Sequence, residues 1–150
     1  MLRLNCEAVV KLSYAFLKHA KSGDALINTS SVLSFTPSPG MGLYAATKAF
    51  VTSFTESIWF EQKSRGVFVM ALCPGFVSTE FQANAGGKLA DLPKGFLQTP
   101  QDVAAFALRA LFARKKPSVI TGVKNLMFAG LSRILTRKSL VTMTGSMMKR

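Results

Sequence analysis

Apolar positions along the chain follow two rhythms. Between residues 6 and 20, Val9, Leu12 and Phe16 recur at helical spacing and predict a helix, which the turn chemistry of Ser22-Gly23-Asp24 ends. Ala25-Leu26-Ile27-Asn28-Thr29 is a short β-prone run, predicted as a buried strand that runs out at Ser30-Ser31. A loop marked by Pro37, Pro39, Gly40 and Gly42 follows. From Tyr44 to Arg65 the spacing predicts a long helix with Phe50, Phe54 and Ile58 on one face, Val51 beside them and Gly66 as terminator. Val67 to Leu72 is apolar without alternation, as in a parallel strand covered on both faces, and Pro74-Gly75 stops it. Residues 82–98, with Gly86-Gly87, Pro93 and Gly95, read as a loop. Thr99-Pro100-Gln101-Asp102 is a helix start, with Thr99 as cap and Asp102 near the positive helix end. Val103, Phe106, Ala107, Ala110 and Leu111 form the apolar face of that helix. Pro117 closes it and Ser118-Val119-Ile120-Thr121 reads as a third strand. Residues 124–150 are helical in pattern, setting Leu126, Met127, Gly130, Leu131, Ile134 and Leu135 against Lys124, Arg133, Arg137 and Lys138.

Strands alternating with helices imply right-handed crossovers and a parallel sheet, hence an α/β protein. The 150 residues suffice for one domain with a modest core, and a mean hydropathy of +0.27 argues against disorder. Cys6 and Cys73 have no metal-ligand spacing, no metal is expected, and a reduced, cytoplasmic setting suits them. His19 is the one histidine; it lies among Lys18 and Lys21, which suits a helix surface better than a Ser-His-Asp triad. The N-terminus has neither signal nor transit character, and no run of apolar residues is long enough to span a bilayer. Net charge is +12, and residues 103–150 hold ten Lys or Arg and no acid. That stretch is either a solvated basic face or a surface for an acidic partner. No groove-reading or stacked-aromatic pattern supports nucleic acid.

In parallel α/β sheets, sites form beyond the C-terminal ends of the strands. Ser30-Ser31 follows the first strand and Pro74-Gly75-Phe76-Val77-Ser78-Thr79 the second, while the intervening helix opens with Tyr44-Ala45-Ala46-Thr47-Lys48. Tyr44 and Lys48, four apart, share a helical face. A phenol of pKa about 10 is a poor acid–base group near neutrality. A cation within about 4–6 Å lowers such a value by about 1–3 units. A tyrosine tuned in this way can exchange a proton with a carbonyl or alcohol oxygen while hydride moves at carbon. A Tyr-x-x-x-Lys pair alone is weak, because it arises easily by chance. The joint spacing is more specific: Asn5 lies 26 positions before Ser31, Ser31 lies 13 before Tyr44, and Pro74-Gly75 follows the next strand.

These segments resemble the short-chain dehydrogenase/reductase family. Ile27-Asn28-Thr29-Ser30-Ser31-Val32 resembles its serine segment, and Pro39 to Ala49 its Tyr-x-x-x-Lys segment. Cys73 to Thr79 resembles its Pro-Gly-x-Val-x-Thr cofactor segment, and Leu4-Asn5 its helix-opening asparagine. The resemblance implies the last three strands, with flanking helices, of a doubly wound Rossmann-like fold, so that residues 1–150 form one partial domain. It implies Tyr44 as general acid/base and Lys48 as the group that tunes it and binds the nicotinamide ribose. Ser31, rather than Ser30, would position the substrate oxygen, and Asn5 would hold a relay water. Pro74, Gly75, Val77 and Thr79 would border the nicotinamide and its phosphate side. NADP or NAD is the implied cofactor, with NADP slightly favoured, and a small carbonyl or alcohol the implied substrate. The helices at 6–20 and 44–65 would pair in a homo-oligomer.

Where the family opens with a strand, a Gly-rich turn and an Asn-Ala-Gly strand, this sequence has none of the three. The adenine pocket and the NAD-versus-NADP selector are therefore expected to be missing, the strand at 25–31 to have an open edge, and the 150-residue polypeptide to be poorly soluble or to bind NAD(P)H weakly. The C-terminal segment resembles a bacterial branch in which a Gly-Val-Lys-Asn-like turn precedes a basic apolar helix. That helix would either pack over the substrate cleft or touch anionic lipid or an acyl chain. Two further readings stand beside the enzyme: a non-catalytic remnant or dimerising module, and a basic membrane-surface protein.

Overall fold

The computed structural model describes residues 1–79 and 97–148. A π-helical turn, Arg3–Glu7, leads into α1 (Ala8–His19), followed by β1 (Ala25–Thr29) and the 3₁₀ turn Val32–Phe35. Next come α2 (Gly42–Glu61), the 3₁₀ turn Lys63–Arg65 and β2 (Phe68–Cys73). The short strands β3 (Phe76–Val77) and β4 (Leu97–Gln98) precede α3 (Pro100–Ala113) and β5 (Ser118–Ile120). Two helices, α4 (Val123–Leu131) and α5 (Arg137–Met148), end the described chain.

The expected parallel α/β sheet is present, in the order β1-β2-β5. β1 runs beside β2 from Ala25↔Phe68 to Thr29↔Leu72, and β5 flanks it from Ala71↔Ser118 to Cys73↔Ile120. Every residue of β2 is buried, which accounts for its lack of alternation. Its two faces serve two layers. Phe68, Met70 and Leu72 pack with Val119 and with Val103 and Ala107 of α3, while Val69, with Val67, meets Leu17 of α1 and Ile58 of α2. Burying each large apolar side chain contributes about 1.5–3 kcal/mol, so β2 is the spine of both cores.

α3 starts as its sequence predicts. The Asp102 backbone N–H donates to Thr99 Oγ1 at 3.1 Å, and that hydroxyl donates to Asp102 Oδ2 at 2.6 Å. Gly66 terminates the α2 region in the left-handed conformation, φ 69°. The guanidinium of Arg65 donates to the carbonyls of Leu17 and Ala20, placing a cation at the C-terminal end of α1.

Several details differ from the sequence reading. Leu12 points to solvent, and Ser13 and Leu17 are the buried positions of α1. The phase is set by a polar knot: Asn28 Nδ2 donates to Ser13 Oγ and to Thr55 Oγ1, each at 3.1 Å. Polar residues therefore hold both helices to the strand, which a count of apolar positions misses. α2 opens two residues before Tyr44, and Phe50 stays exposed while Val51 and Ile58 are buried. The loop expected at 82–98 lies outside the described residues up to 96, but Leu97–Gln98 is a strand paired in parallel with Phe76–Val77. The helix expected over 124–150 is broken between Leu131 and Arg137. Ser132 Oγ donates to the Ala129 carbonyl at 2.7 Å, and Thr136 Oγ1 accepts from the Ser139 N–H at 3.3 Å, so a hydroxyl satisfies each side of the break.

Candidate active site

The C-terminal ends of β1 and β2 open onto one corner of the molecule. Beyond β1 the chain stays extended through Ser31, whose Oγ accepts the Leu33 N–H at 3.2 Å and starts the 3₁₀ turn. Ser30 and Ser31 then part ways. Ser30 Oγ donates to the Lys48 carbonyl at 2.8 Å and shares a 2.7 Å hydrogen bond with Thr52 Oγ1, so it anchors α2. Ser31 instead hydrogen-bonds with the phenol of Tyr44. The two adjacent serines therefore serve different partners, Ser30 the backbone and Thr52 of α2 and Ser31 the Tyr44 phenol.

Lys48 lies one turn along α2. Its Nζ donates to the Thr29 carbonyl at 3.0 Å and sits 5.7 Å from the centre of the Tyr44 ring. Asn5 joins from the π-helical turn, donating through Nδ2 to Thr47 Oγ1 at 3.0 Å; that hydroxyl in turn donates to the Tyr44 carbonyl at 2.8 Å. A π turn carries a locally widened backbone and is frequent at functional sites. The structure thus gathers Asn5, Ser31, Tyr44 and Lys48 around the first two turns of α2.

The electrostatics depart from expectation. Burial pushes the Tyr44 phenol above its ordinary value, and the hydrogen bond with Ser31 only partly counters this. Burial likewise pushes Lys48 below its ordinary value, with Cys73 and Cys6 acting the other way. Desolvation of both partners therefore outweighs the attraction that the sequence reading emphasised.

The segment after β2 lies alongside. The Val32 N–H donates to the Pro74 carbonyl at 2.8 Å, which ties the serine loop to the Pro-Gly turn. Val77 belongs to β3, and Thr79 Oγ1 donates to the Val77 carbonyl at 3.5 Å. Gly75 is required sterically: a Cβ there would lie 2.2 Å from Asn125 Nδ2. Asn125, buried on α4 and donating to the Thr121 carbonyl at 2.7 Å, is a support the sequence reading missed. Gln98 is another, accepting from Thr121 Oγ1 at 2.5 Å. A Gly-Val-Lys-Asn turn directly after the third strand was the available signal. The C-terminal helix also braces the loop before Tyr44, because Gly145 of α5 sits against Pro39, where a Cβ would lie 3.3 Å from Pro39 Cγ.

A parallel sheet with helices on both faces, and polar side chains gathered beyond the C-terminal ends of its strands, places the chain among the open α/β proteins, whose sites form at that edge. The profile of the family described as short chain dehydrogenase matches residues 1–89. The chain belongs to the short-chain dehydrogenase family. It is 33% identical over 129 residues to a 3-oxoacyl-(acyl-carrier-protein) reductase of Vibrio cholerae, covering 81% of this chain and 52% of that protein. It is 34% identical over 122 residues to a 3beta-hydroxysteroid dehydrogenase of Eggerthella lenta, covering 75% and 45%. Among solved structures, one from work on 7beta-hydroxysteroid dehydrogenase stereoselectivity superposes with a TM-score of 0.78 at 28% identity, covering 97% of this chain and 56% of the other. A short-chain dehydrogenase from Sphingobium yanoikuyae in complex with NADPH gives 0.74 at 27% identity, covering 93% and 54%. The chain spans about half the length of the curated relatives it matches. No helix among the described residues is long and apolar enough to cross a membrane.

Proposed function

We propose that this chain carries the proton-transfer site of an oxidoreductase that interconverts a carbonyl and an alcohol using NADP or NAD. The observation that carries this reading is the hydrogen bond of Tyr44 with Ser31 while the Lys48 ammonium lies 5.7 Å from the same ring. The hydroxyls and the ammonium suit a nicotinamide ribose by donor chemistry, so Tyr44 and Lys48 would hold that end, with Pro74, Gly75, Val77 and Thr79 bordering the ring and its phosphate side. When bound, the nicotinamide would supply or accept the hydride.

The chain's own residues would handle the proton. Ser31 would orient the substrate oxygen toward Tyr44, which would give its phenolic proton during reduction and take one back during oxidation. Because burial keeps the phenol protonated, this environment favours the proton donor at neutral pH. Lys48 would stabilise the phenolate left behind, and Asn5, beside it through Thr47, would hold a water leading to solvent. The name of the Vibrio relative and the NADPH complex of the Sphingobium neighbour support NADP-linked reduction. Free Cys6 and Cys73 support a reducing, cytoplasmic setting. The exposed Leu12, Tyr14, Phe50 and Phe60 on α1 and α2 support pairing with a second copy.

The test is a panel of small ketones and aldehydes assayed for oxidation of NADPH or NADH. Turnover is expected to be lost in Tyr44→Phe. Equal turnover in the variant would remove Tyr44 from the chemistry, and NADPH binding without turnover of any substrate would favour a non-catalytic remnant.

A further inference from the structure

α4 is amphipathic in the inverted sense. Its inward face is made of Asn125 and Ala129, each 4% exposed, whereas Val123, Leu126 and Met127 are 74%, 56% and 68% exposed. Those residues, with Leu131 and Ile134, recur at helical spacing, so the stripe is continuous and ends on Ile134, 82% exposed in the turn before α5. A stripe of this kind on the outside of a folded domain marks a contact surface.

The surroundings of the stripe indicate what covers it. Arg133, Arg137 and Lys138 flank it, all exposed, and among the described residues none of them forms an ion pair. No acid occurs anywhere in residues 103–150. A folded protein partner ordinarily offers acids at fixed positions, answered by a mixture of signs that sets register. Here apolar side chains and unanswered cations lie together without such patterning. An anionic bilayer surface meets both demands, with acyl boundary for the stripe and headgroup charge for the cations. α4 is nine residues long, which suits lying on a surface and not crossing it.

We infer that α4, the following turn and the start of α5 form a docking surface for anionic lipid membranes. The contact is peripheral and depends on both halves of the pattern. Its inward face, Asn125 and Ala129, stays buried, with Asn125 against Gly75, so binding needs no unfolding.

The experiment is co-sedimentation of the full chain with sucrose-loaded vesicles of phosphatidylcholine alone, or of phosphatidylcholine and phosphatidylserine in a two-to-one ratio. Binding is expected to the anionic vesicles only and to weaken with salt. Each surface cation is worth about fivefold, so Arg133→Gln, Arg137→Gln and Lys138→Gln combined should weaken binding about a hundredfold. Leu126→Ser with Met127→Ser should abolish it at low salt too. Ile134→Ser, in the turn, provides a variant that leaves both helices intact and should weaken binding about tenfold. Circular dichroism and an unchanged thermal midpoint certify the fold of each. Equal binding to both vesicle types, binding insensitive to all three changes, or retention on polyglutamate resin without vesicle binding would overturn the proposal, the last in favour of an acidic protein partner.

Discussion

Around the ends of β1 and β2 the side chains of Ser30, Asn28, Lys48 and Asn5 are each tied to a neighbour, whereas α4 and α5 leave apolar and cationic side chains facing solvent. At the strand ends, Ser30, Thr52, Asn28, Ser13 and Thr55 form buried pairs that carry no chemistry themselves but set where Ser31, Tyr44 and Lys48 stand. At the C-terminal side, the buried positions among the described residues of α4 and α5 are the inward Asn125, Ala129, Leu140 and Thr144. The first region is built for geometry that does not change. The second is built to meet something outside the chain. Substitutions should accordingly act on rate and fold in the one and on association in the other.

The largest effect is expected at Tyr44. In a chain competent to bind cofactor, Tyr44→Phe should lower turnover by about 10³-fold while leaving nucleotide affinity within a few-fold, as judged by quenching of intrinsic fluorescence. Ser31→Ala, removing the orienting hydroxyl but not the proton donor, should lower kcat by about 10–100-fold and leave the thermal midpoint nearly unchanged. If Ser30→Ala gave the larger kinetic loss, the division of labour between the two serines would be reversed.

Smaller effects should fall on the scaffold. Asn28→Ala leaves the Ser13 hydroxyl buried without its amide partner and should cost about 1–3 kcal/mol in urea unfolding. Arg65→Ala removes the cation from the C-terminal end of α1 and should cost at most about 1 kcal/mol, because the site is exposed. A titration sharpens the electrostatics. The phenol of Tyr44 is more basic in the folded than in the unfolded chain, so its stabilising contribution is complete below the unfolded value of 10.0 and is lost as pH rises through the folded value. Alkaline unfolding should therefore be less pH-dependent in Tyr44→Phe, and ultraviolet difference absorbance of the cofactor-free protein should place one phenol above 10.0. A phenol titrating below the ordinary range would mean that Lys48 outweighs burial.

Much of this was legible in the chain. The unalternating run Val67–Leu72 marked a strand covered on both faces, and the spacing of Asn5, Ser31, Tyr44 and Lys48 marked residues that the fold brings together. The missed parts have identifiable physical causes. Asn28 reads as a polar interruption of a strand, yet its amide satisfies two helices at once. β3 and β4 have two residues each, too few for any periodicity to register. The break after Leu131 leaves helical spacing intact, because Ser132 and Thr136 end and restart the helix with hydroxyls instead of glycine or proline. The direction of the Tyr44 shift depends on burial, which a sequence does not count, while the neighbouring charge is visible at four residues' distance.

The most direct test of the central claim follows the proton itself. Reduction of a carbonyl substrate should be measured against pH, at saturating cofactor, in the unsubstituted protein and in Tyr44→Phe. The account predicts a rate that falls as rising pH ionises the phenol, and a residual rate in the variant that is low and lacks this alkaline limb. A variant with the same rate and the same limb would contradict the assignment of Tyr44 as the group that gives up the proton.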